Sequence, residues 1–231
     1  MILLDIFSYS CMNCRRSLEY ISRINSRYKR YGLKTVLVHV PEWQFEKNNV
    51  KKFIREHNIK IPLILDTKKR IIKKFAVNFW PAQILLDNDK LIYRHIGEGG
   101  YSQLEEAIRI KLKAKTDKIF NTEPEYSKHP CTYFGRKKKN HRFAIEGRWR
   151  QYNECIIGDG KIHLTVRGKK ILLVAASEKG SIIYIRGNDF RDSIPIKRAD
   201  LYLLKEFRTA RKRRLSLIIM NPTRIYSLAE E

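Results

Sequence analysis

The first half of the chain alternates short apolar runs with segments whose apolar side chains recur every three or four positions. Uninterrupted runs of this kind are typical of buried parallel strands, and the three-to-four spacing is typical of amphipathic helices. The pattern predicts strands at residues 2–7, 35–40, 61–65, 82–87 and 90–96, and helices at residues 11–31, 48–57, 69–75 and 103–112. Asn88 and Asp89, between the last two strands, have the composition of a tight hairpin turn. This order predicts an α/β fold in which a mixed sheet, parallel except for one terminal hairpin, is flanked by helices.

The second half has a different rhythm, because glycine and polar turns interrupt it at short intervals. Only one of the 11 glycines, Gly32, lies before residue 97. Seven short strand-like runs lie between the turns, at residues 148–157, 161–166, 170–175, 181–186, 200–204, 214–220 and 224–228. Many short strands separated by regular turns predict an all-β sandwich, jelly-roll-like in outline.

The length of 231 residues is compatible with two domains of ordinary size. We predict domains at residues 1–115 and 131–231, joined by a linker at residues 116–130 where Pro124 and Pro130 interrupt the periodicity. A hydrophobic fraction of 43% with 11% aromatic residues supports packed cores and excludes a disordered or fibrous chain. No apolar stretch approaches the roughly 18 residues of a membrane helix, and the first residues lack a signal peptide's basic segment. We therefore expect a cytoplasmic protein without a transmembrane segment, and the sequence indicates no oligomeric state.

The charge is strongly positive: 48 lysines and arginines against 24 acidic residues give a net charge of +24. Most of this excess positive charge is spread along the chain, as in a generally basic protein whose net charge keeps its molecules dispersed in solution. Residues 136–142 and 208–214 are local concentrations, and clustered charge is typical of nucleic-acid surfaces. A basic binding or adaptor protein for an anionic partner such as nucleic acid is therefore an alternative hypothesis for the function.

Cys11 and Cys14 form a C-x-x-C motif at the junction of the first strand and the first helix, the position of a redox motif. Amide groups and the helix dipole at a helix start stabilise an anion, so Cys11 is expected to react as a thiolate. Cys14 would enter the helix and resolve the mixed disulfide. Arg15 and Arg16 are expected to add positive charge beside Cys11.

Three other interpretations of this motif are open. A structural zinc site would need two more ligands, yet the chain has no second C-x-x-C and its histidines are scattered. A thiol peroxidase would use a lone attacking cysteine, and Cys14 is too close to Cys11 in the sequence for the usual peroxidase scheme. An idle cysteine pair is the third interpretation. Cys131 and Cys155 are expected to be buried free thiols, the alternative being a disulfide.

Pro81 precedes the strand predicted at residues 82–87, where a proline cannot donate to a ladder. A cis Trp80–Pro81 bond would turn a backbone edge toward the cysteines, where it could pair with an extended substrate segment. An ordinary trans proline is the alternative. Trp80, with Met12 and Asn13 of the motif, is expected to contact the substrate.

Asp5 interrupts the apolar run at residues 2–7. If it is buried, desolvation raises its pKa and makes it a proton acceptor for Cys14; if a strand at the very N-terminus leaves it exposed, Asp5 is solvated. Glu98, in a glycine-rich turn, is expected to lie at the surface, and a place near the cysteines is the alternative. Trp149 is expected in the core of the second domain rather than on a carbohydrate platform.

Four stretches of the first half carry a resemblance to a known family. The chain resembles the redoxin-type thiol–disulfide oxidoreductases of the thioredoxin superfamily, in particular the soluble domains of bacterial thiol:disulfide interchange proteins. The stretches are residues 10–16 (SCMNCRR), 38–46, 79–82 (FWPA) and 97–101 (GEGGY). In the second half, residues 147–149 and 199–202 resemble the β-sandwich that follows in the same relatives.

The resemblance implies an enzyme that exchanges disulfides with protein substrates. It assigns Cys11 as the nucleophile, Cys14 as the resolving thiol, Pro81 as the cis proline and Asp5 as the buried acid. The expected partners are protein thiols or disulfides and an unidentified electron donor or acceptor. No cofactor is expected beyond the Cys11–Cys14 disulfide.

Overall fold

The computed structural model describes residues 1–43, 45–120, 131–136 and 143–231. It divides into two compact units, Met1–Tyr126 and Ser127–Glu231. Residues 121–130 of the predicted linker and residues 137–142 of the first basic cluster lie outside the described residues. In the described part of the chain, no helix combines the length and the apolar character needed to cross a membrane.

The first unit is a five-stranded mixed sheet flanked by helices, the thioredoxin fold that the sequence predicts. Its strands are β1 (Ile2–Phe7), β2 (Lys34–His39), β3 (Leu63–Leu65), β4 (Ala82–Asp87) and β5 (Lys90–Ile96), and its helices are α1 (Met12–Tyr28), α2 (Glu46–Glu56), α3 (Arg70–Lys74) and α4 (Tyr101–Leu112). The strand order is β3-β2-β1-β4-β5, with β1, β2 and β3 parallel and β4 and β5 antiparallel to their neighbours. The central strand is therefore β1.

Side chains alternate along β1 and so supply both faces of the sheet. Leu3 and Phe7 enter the larger core, whereas Ile6 enters the smaller one on the opposite face. The larger core includes residues of α1 and α4, and it contains Cys14. Asp5 lies between Leu3 and Phe7 in this alternation, so its carboxyl group points to the face that α1 covers.

The second unit is built from antiparallel strands, as the sequence predicts for a sandwich. The strands are β6 (Thr132–Tyr133), β7 (Phe143–Gln151), β8 (Ile156–Val166), β9 (Lys170–Ala176), β10 (Ser181–Arg186), β11 (Arg191–Ile196), β12 (Asp200–Glu206) and β13 (Arg213–Glu230). The main path runs β11-β10-β13-β8-β7, while β9 pairs with β12 and β13. Strand β13 belongs to both groups, because its 18 residues pair with β8 and β10 in one part and with β9 and β6 in the other.

The strands of the second unit differ from the sequence-based prediction at several points. The predicted strand at 148–157 is wrong, because β7 ends at Gln151 and β8 begins at Ile156. The two strands predicted at 214–220 and 224–228 are one strand, which passes the interruption with a shift of register rather than a turn. Strand β11 was not predicted because Pro195 interrupts it, and this proline is tolerated because β11 lies at a sheet edge.

The remaining cysteines and Trp149 belong to the second unit. Cys131 is half-buried and Cys155 is buried, and no disulfide joins them. Burial raises the pKa of Cys155 to about 11. Trp149 packs against the core of this unit, and its indole N–H donates to the carbonyl oxygen of Glu146 at 3.1 Å.

Glu105 ties three segments of the first unit together from a buried position on α4. Its carboxylate accepts hydrogen bonds from the Tyr28 hydroxyl on α1 and from the amides of Ile119, at 2.7 Å, and Phe120, at 2.9 Å. These bonds hold the segment after α4 against the core that Phe120 enters.

Glu105→Ala is expected to lower the free energy of unfolding by about 2–4 kcal/mol, because it leaves buried donors without an acceptor. Glu106→Ala is the matched control, since Glu106 is exposed and pairs with Arg109 and Lys118 at the surface; it is expected to change stability little. Chemical denaturation followed by circular dichroism measures both. Equal effects of the two substitutions would contradict this role of Glu105.

Candidate active site

Cys11 caps the start of helix α1. Its backbone is extended, with φ −81° and ψ 120°, and its sulfur accepts a hydrogen bond from the amide of Cys14, with Sγ to N at 3.4 Å. Cys11 is half-buried, whereas Cys14 is fully buried in the core beneath the helix. A helix start presents unpaired amide groups and a positive dipole end. The structure therefore gives the two cysteines different environments: Cys11 can be reached from solvent, and Cys14 is shielded.

The two arginines after the motif have partners of their own. Arg15 donates to the carbonyl oxygen of Tyr9 at 2.6 Å and lies over the Phe53 ring. Arg16 forms a two-pronged ion pair with Glu98, with N–O distances of 2.7 and 2.6 Å, and also donates to Asn13 Oδ1 at 2.9 Å.

The favourable effect of these two charges on the Cys11 thiolate stays a prediction. The contacts of Arg16 correct the surface role expected for Glu98, whose side chain is only 4% exposed. The Arg16–Glu98 pair connects the turn at residues 97–100 to the first turn of α1. Gly100 permits this turn, because its φ is +70° and a Cβ there would lie 2.6 Å from the Tyr93 hydroxyl oxygen.

Asp5 is fully buried on the α1 side of the sheet, which decides between the two sequence interpretations. Its Oδ1 accepts a hydrogen bond of 3.1 Å from Gln83 Nε2, and Gln83 also donates to Ser17 Oγ at 3.2 Å. Asp5 and Gln83 are register partners across β1 and β4, and Ser17 lies one turn beyond Cys14 on α1. Gln83 and Ser17 are polar members of this site that the sequence analysis missed. A glutamine within the apolar run at 82–87 was the available signal.

Desolvation has the largest effect on the pKa of Asp5. Burial raises the pKa of Asp5 to about 7, and the Gln83 hydrogen bond opposes the rise. Burial also raises the pKa of Cys14 well above its usual value, with smaller contributions from Cys11 and from the Asp5 charge. Near neutral pH, Asp5 therefore exists in both protonation states, whereas the Cys14 thiol holds its proton.

Pro81 lies at the same end of the sheet as the cysteines. The Trp80–Pro81 peptide bond is cis, and Pro81 precedes Ala82, the register partner of Ile6 on β1. The chain reaches Cys11 five residues after Ile6. The Pro81 carbonyl accepts a hydrogen bond from the Gly97 amide at 2.8 Å. Trp80 is half-buried and packs against both cores of the first unit.

The substrate-contact residues predicted from the sequence differ in exposure. Met12 is buried and Asn13 is half-buried, so Asn13 is the more accessible of the two motif residues. The most exposed large hydrophobic side chain at this edge is Phe79, which is 72% exposed and was not among the predicted contacts. In the described residues, no three His, Cys, Asp or Glu side chains form a metal site.

A buried carboxylate, Glu46, fixes the segment that leads into Cys11. It accepts hydrogen bonds from Ser8 Oγ at 2.8 Å, from Ser10 Oγ and from the amide of Glu42 at 2.7 Å. His39 Nε2 lies 3.5 Å from its Oε2. All of these groups except Glu42 are buried. The Cys11 amide in turn donates to the Ser8 carbonyl. Glu46 therefore fixes the segment that positions the cap of α1.

We expect Asp5→Asn to remove a pH dependence of stability. In the unfolded chain an aspartate has a pKa of about 3.9, whereas burial holds that of Asp5 at about 7. Between these values the folded protein keeps a proton that the unfolded chain has lost. The stability of the reduced wild type should therefore fall as the pH rises from about 4 to about 7, and stay level above that.

Relative to Asp5→Asn, the fall in the free energy of unfolding between about pH 4.5 and about pH 7.5 is expected to be about 3 kcal/mol. Urea unfolding of both reduced proteins across this range measures it. Parallel pH profiles for the two proteins would show that Asp5 does not titrate in this window.

Glu46→Ala should loosen the Cys11 cap. The substitution leaves two buried hydroxyls and one amide without an acceptor, each worth about 1–3 kcal/mol. Hydrogen exchange of the Cys11 amide is expected to accelerate, and unfolding is expected to become easier. Lys47→Ala, an exposed neighbour on the same helix, is the control. Unchanged exchange at Cys11 in the Glu46 variant would mean that the cap does not depend on this carboxylate.

The first unit is similar in sequence to known proteins. Residues 1–95 match the model of the AhpC/TSA family. Protein DipZ of Mycobacterium tuberculosis is 28% identical over 225 residues, covering 80% of this chain and 32% of DipZ. Thiol-disulfide oxidoreductase ResA of Bacillus cereus is 27% identical over 105 residues, covering 45% of this chain and 59% of ResA. This chain thus spans about a third of DipZ and less than two thirds of ResA.

Among solved structures, StoA from Bacillus subtilis is 21% identical, with a TM-score of 0.42, over 46% of this chain and 80% of StoA. The family match covers the residues that carry Cys11, Cys14, Asp5 and Pro81. The family match and the named relatives therefore support the assignment of the first unit to the redoxin-type proteins of the thioredoxin superfamily.

Proposed function

We propose that this chain is a thiol–disulfide oxidoreductase that exchanges disulfides with protein substrates through Cys11 and Cys14. The observation that carries the proposal is the asymmetry of the pair: an accessible cysteine caps the helix, and the charge of a buried acid with a pKa of about 7 acts on the buried cysteine. Relatives named as thiol–disulfide oxidoreductases support the same reaction class.

In the reducing direction, the Cys11 thiolate attacks one sulfur of a substrate disulfide. The substrate S–S bond breaks, a mixed disulfide forms, and the first substrate sulfur leaves as a thiolate. Cys14 then gives its proton to the Asp5 carboxylate and attacks the Cys11 sulfur. The mixed disulfide breaks, the second substrate thiolate leaves, and the Cys11–Cys14 disulfide forms. Two electrons pass to the substrate, and a separate electron donor must return the pair to its reduced form.

The same steps run backwards when the pair acts as an oxidant. The direction depends on the reduction potential of the Cys11–Cys14 pair against that of its compartment. We propose no cofactor other than this disulfide. The cytoplasmic location expected from the sequence stays a prediction.

The backbone next to Pro81 is proposed to hold the substrate. A proline has no N–H, and the Pro81 carbonyl is engaged by Gly97, so the Trp80 backbone is the group that would pair with an extended substrate segment. The exposed ring of Phe79 would contact apolar substrate side chains, and Asn13 would border the other side of Cys11. These contacts would place a substrate sulfur above Cys11.

The cysteine roles are tested by single substitutions. Cys14→Ser is expected to accumulate a mixed disulfide with a protein substrate such as oxidised insulin, because the resolving thiol is absent. Cys11→Ser is expected to form none and to reduce insulin at the background rate. Cys155→Ser is the control, since Cys155 is buried in the other unit and should leave the rate unchanged. Insulin reduction and mass spectrometry of the trapped adduct give the readouts; full activity of Cys11→Ser would overturn the proposal.

A further inference from the structure

The second unit contains a large basic cleft at one end of its sheet. It has a volume of about 1470 Å³ and lies between the turn that follows β10 and the segment that joins β12 to β13. Six cationic side chains line it: Lys205, Arg208, Arg211, Lys212, Arg213 and Arg214. The one carboxylate in the lining is Asp189, which lies 3.8 Å from Arg211. The cleft therefore has a strong excess of positive charge.

Two aromatic rings form the framework of the cleft. Phe190 and Phe207 meet edge to face, with their centroids 5.4 Å apart. The Arg213 guanidinium lies 4.0 Å from the centroid of the Phe207 ring, and the Lys205 ammonium lies 5.0 Å from that of Phe190. Arg213 also donates to the carbonyl oxygens of Thr209, at 2.8 Å, and Arg211, at 3.0 Å. Arg213 is thus held in position before any ligand arrives.

The size and shape of the cleft indicate which anion it fits. Its volume exceeds the roughly 300–1,000 Å³ of ordinary small-molecule sites, so it suits several linked units better than one small anion. A concave site does not enter the groove of a duplex, which takes a protruding helix or ribbon. An anionic membrane surface would likewise meet a protruding rather than a concave surface. A flexible chain of phosphates can follow cations along such a wall.

We propose that this cleft binds single-stranded nucleic acid. The phosphates would pair with the lysines and arginines, as in electrostatic grooves that track a single-stranded backbone. Bases would stack against the aromatic framework and the fixed guanidinium of Arg213, since aromatic rings and arginine planes are the common partners of unstacked bases. The cleft lies wholly in the second unit, so this binding does not depend on the redox function proposed for the first.

The test is the binding of a fluorescently labelled single strand of about 12 nucleotides, oligo(dT) or oligo(U), to the full chain. Binding is measured by fluorescence anisotropy at several salt concentrations. The paired substitution Arg208→Glu and Lys212→Glu is expected to weaken binding at least about tenfold and to reduce the salt dependence. The paired control is Arg150→Glu with Lys179→Glu, two exposed cations outside the cleft that give the same change in net charge. It is expected to weaken binding about twofold.

Arg213→Lys separates stacking from charge. It keeps the charge but loses the planar group, so binding of the single strand is expected to weaken several-fold while the salt dependence stays the same. A variant without Cys11 and Cys14 is expected to bind as the wild type does, which distinguishes this proposal from the redox function.

Three results would overturn the proposal. Equal weakening by the cleft pair and the control pair would show that binding follows overall charge. Duplex of the same sequence, heparin or vesicles of anionic lipid binding as tightly as the single strand would show that the cleft selects another polyanion. Arg213→Lys binding as tightly as the wild type would show that no base stacks at this position.

Discussion

The position of β1 at the centre of the sheet is the constraint on which the first unit's chemistry depends. Strands β2 and β4 cover both edges of β1, and helices cover its faces. Every side chain of β1 after Ile2 is therefore partly or wholly removed from water. Alternation then sends Asp5 to the face that holds α1 and Cys14. The pKa of Asp5 rises to about 7 because desolvation exceeds the effect of its one hydrogen bond from Gln83. A strand at an edge would have left this carboxyl group in water and ionised.

Buried carboxylates in this unit have two kinds of surroundings. Glu46 and Glu105 each accept several hydrogen bonds from hydroxyls and amides, so they act as fixed acceptors that hold loops in place. Asp5 has a single donor on Oδ1, and its Oδ2 has no hydrogen-bond partner among the described residues. The carboxylates with several donors thus hold structural segments, and the less satisfied carboxyl lies within the site. That difference separates a residue that can exchange a proton from residues that support the scaffold.

The second unit is held together by one strand that two groups of strands share. Its long strand β13 belongs to two groups of strands, and register shifts let it pass from one to the other without a break in the chain. The turns at one end then carry crowded cations against aromatic rings. Crowding like charges is unfavourable in the absence of an anion, so the arrangement is easier to explain by a ligand than by stability.

The sequence by itself determined the features that depend on neighbouring residues. The C-x-x-C spacing, the start of α1 at Cys11, the order of strands and helices in the first unit and the turn-rich rhythm of the second all follow from local patterns. Strand boundaries were less secure where a proline or a register shift imitates a turn, as at Pro195 and in β13.

Only the tertiary structure decided which polar residues meet. Arg16 and Glu98 are 82 positions apart, Ser8 and Glu46 are 38 apart, and Asp5 and Gln83 are 78 apart. The sequence left the burial of Asp5 open and did not indicate that Arg16 pairs with Glu98, because the environment of a charged group depends on the strands and helices that pack around it. Desolvation and ion pairing act through space, whereas the periodicity of a sequence reports only on the element to which a residue belongs.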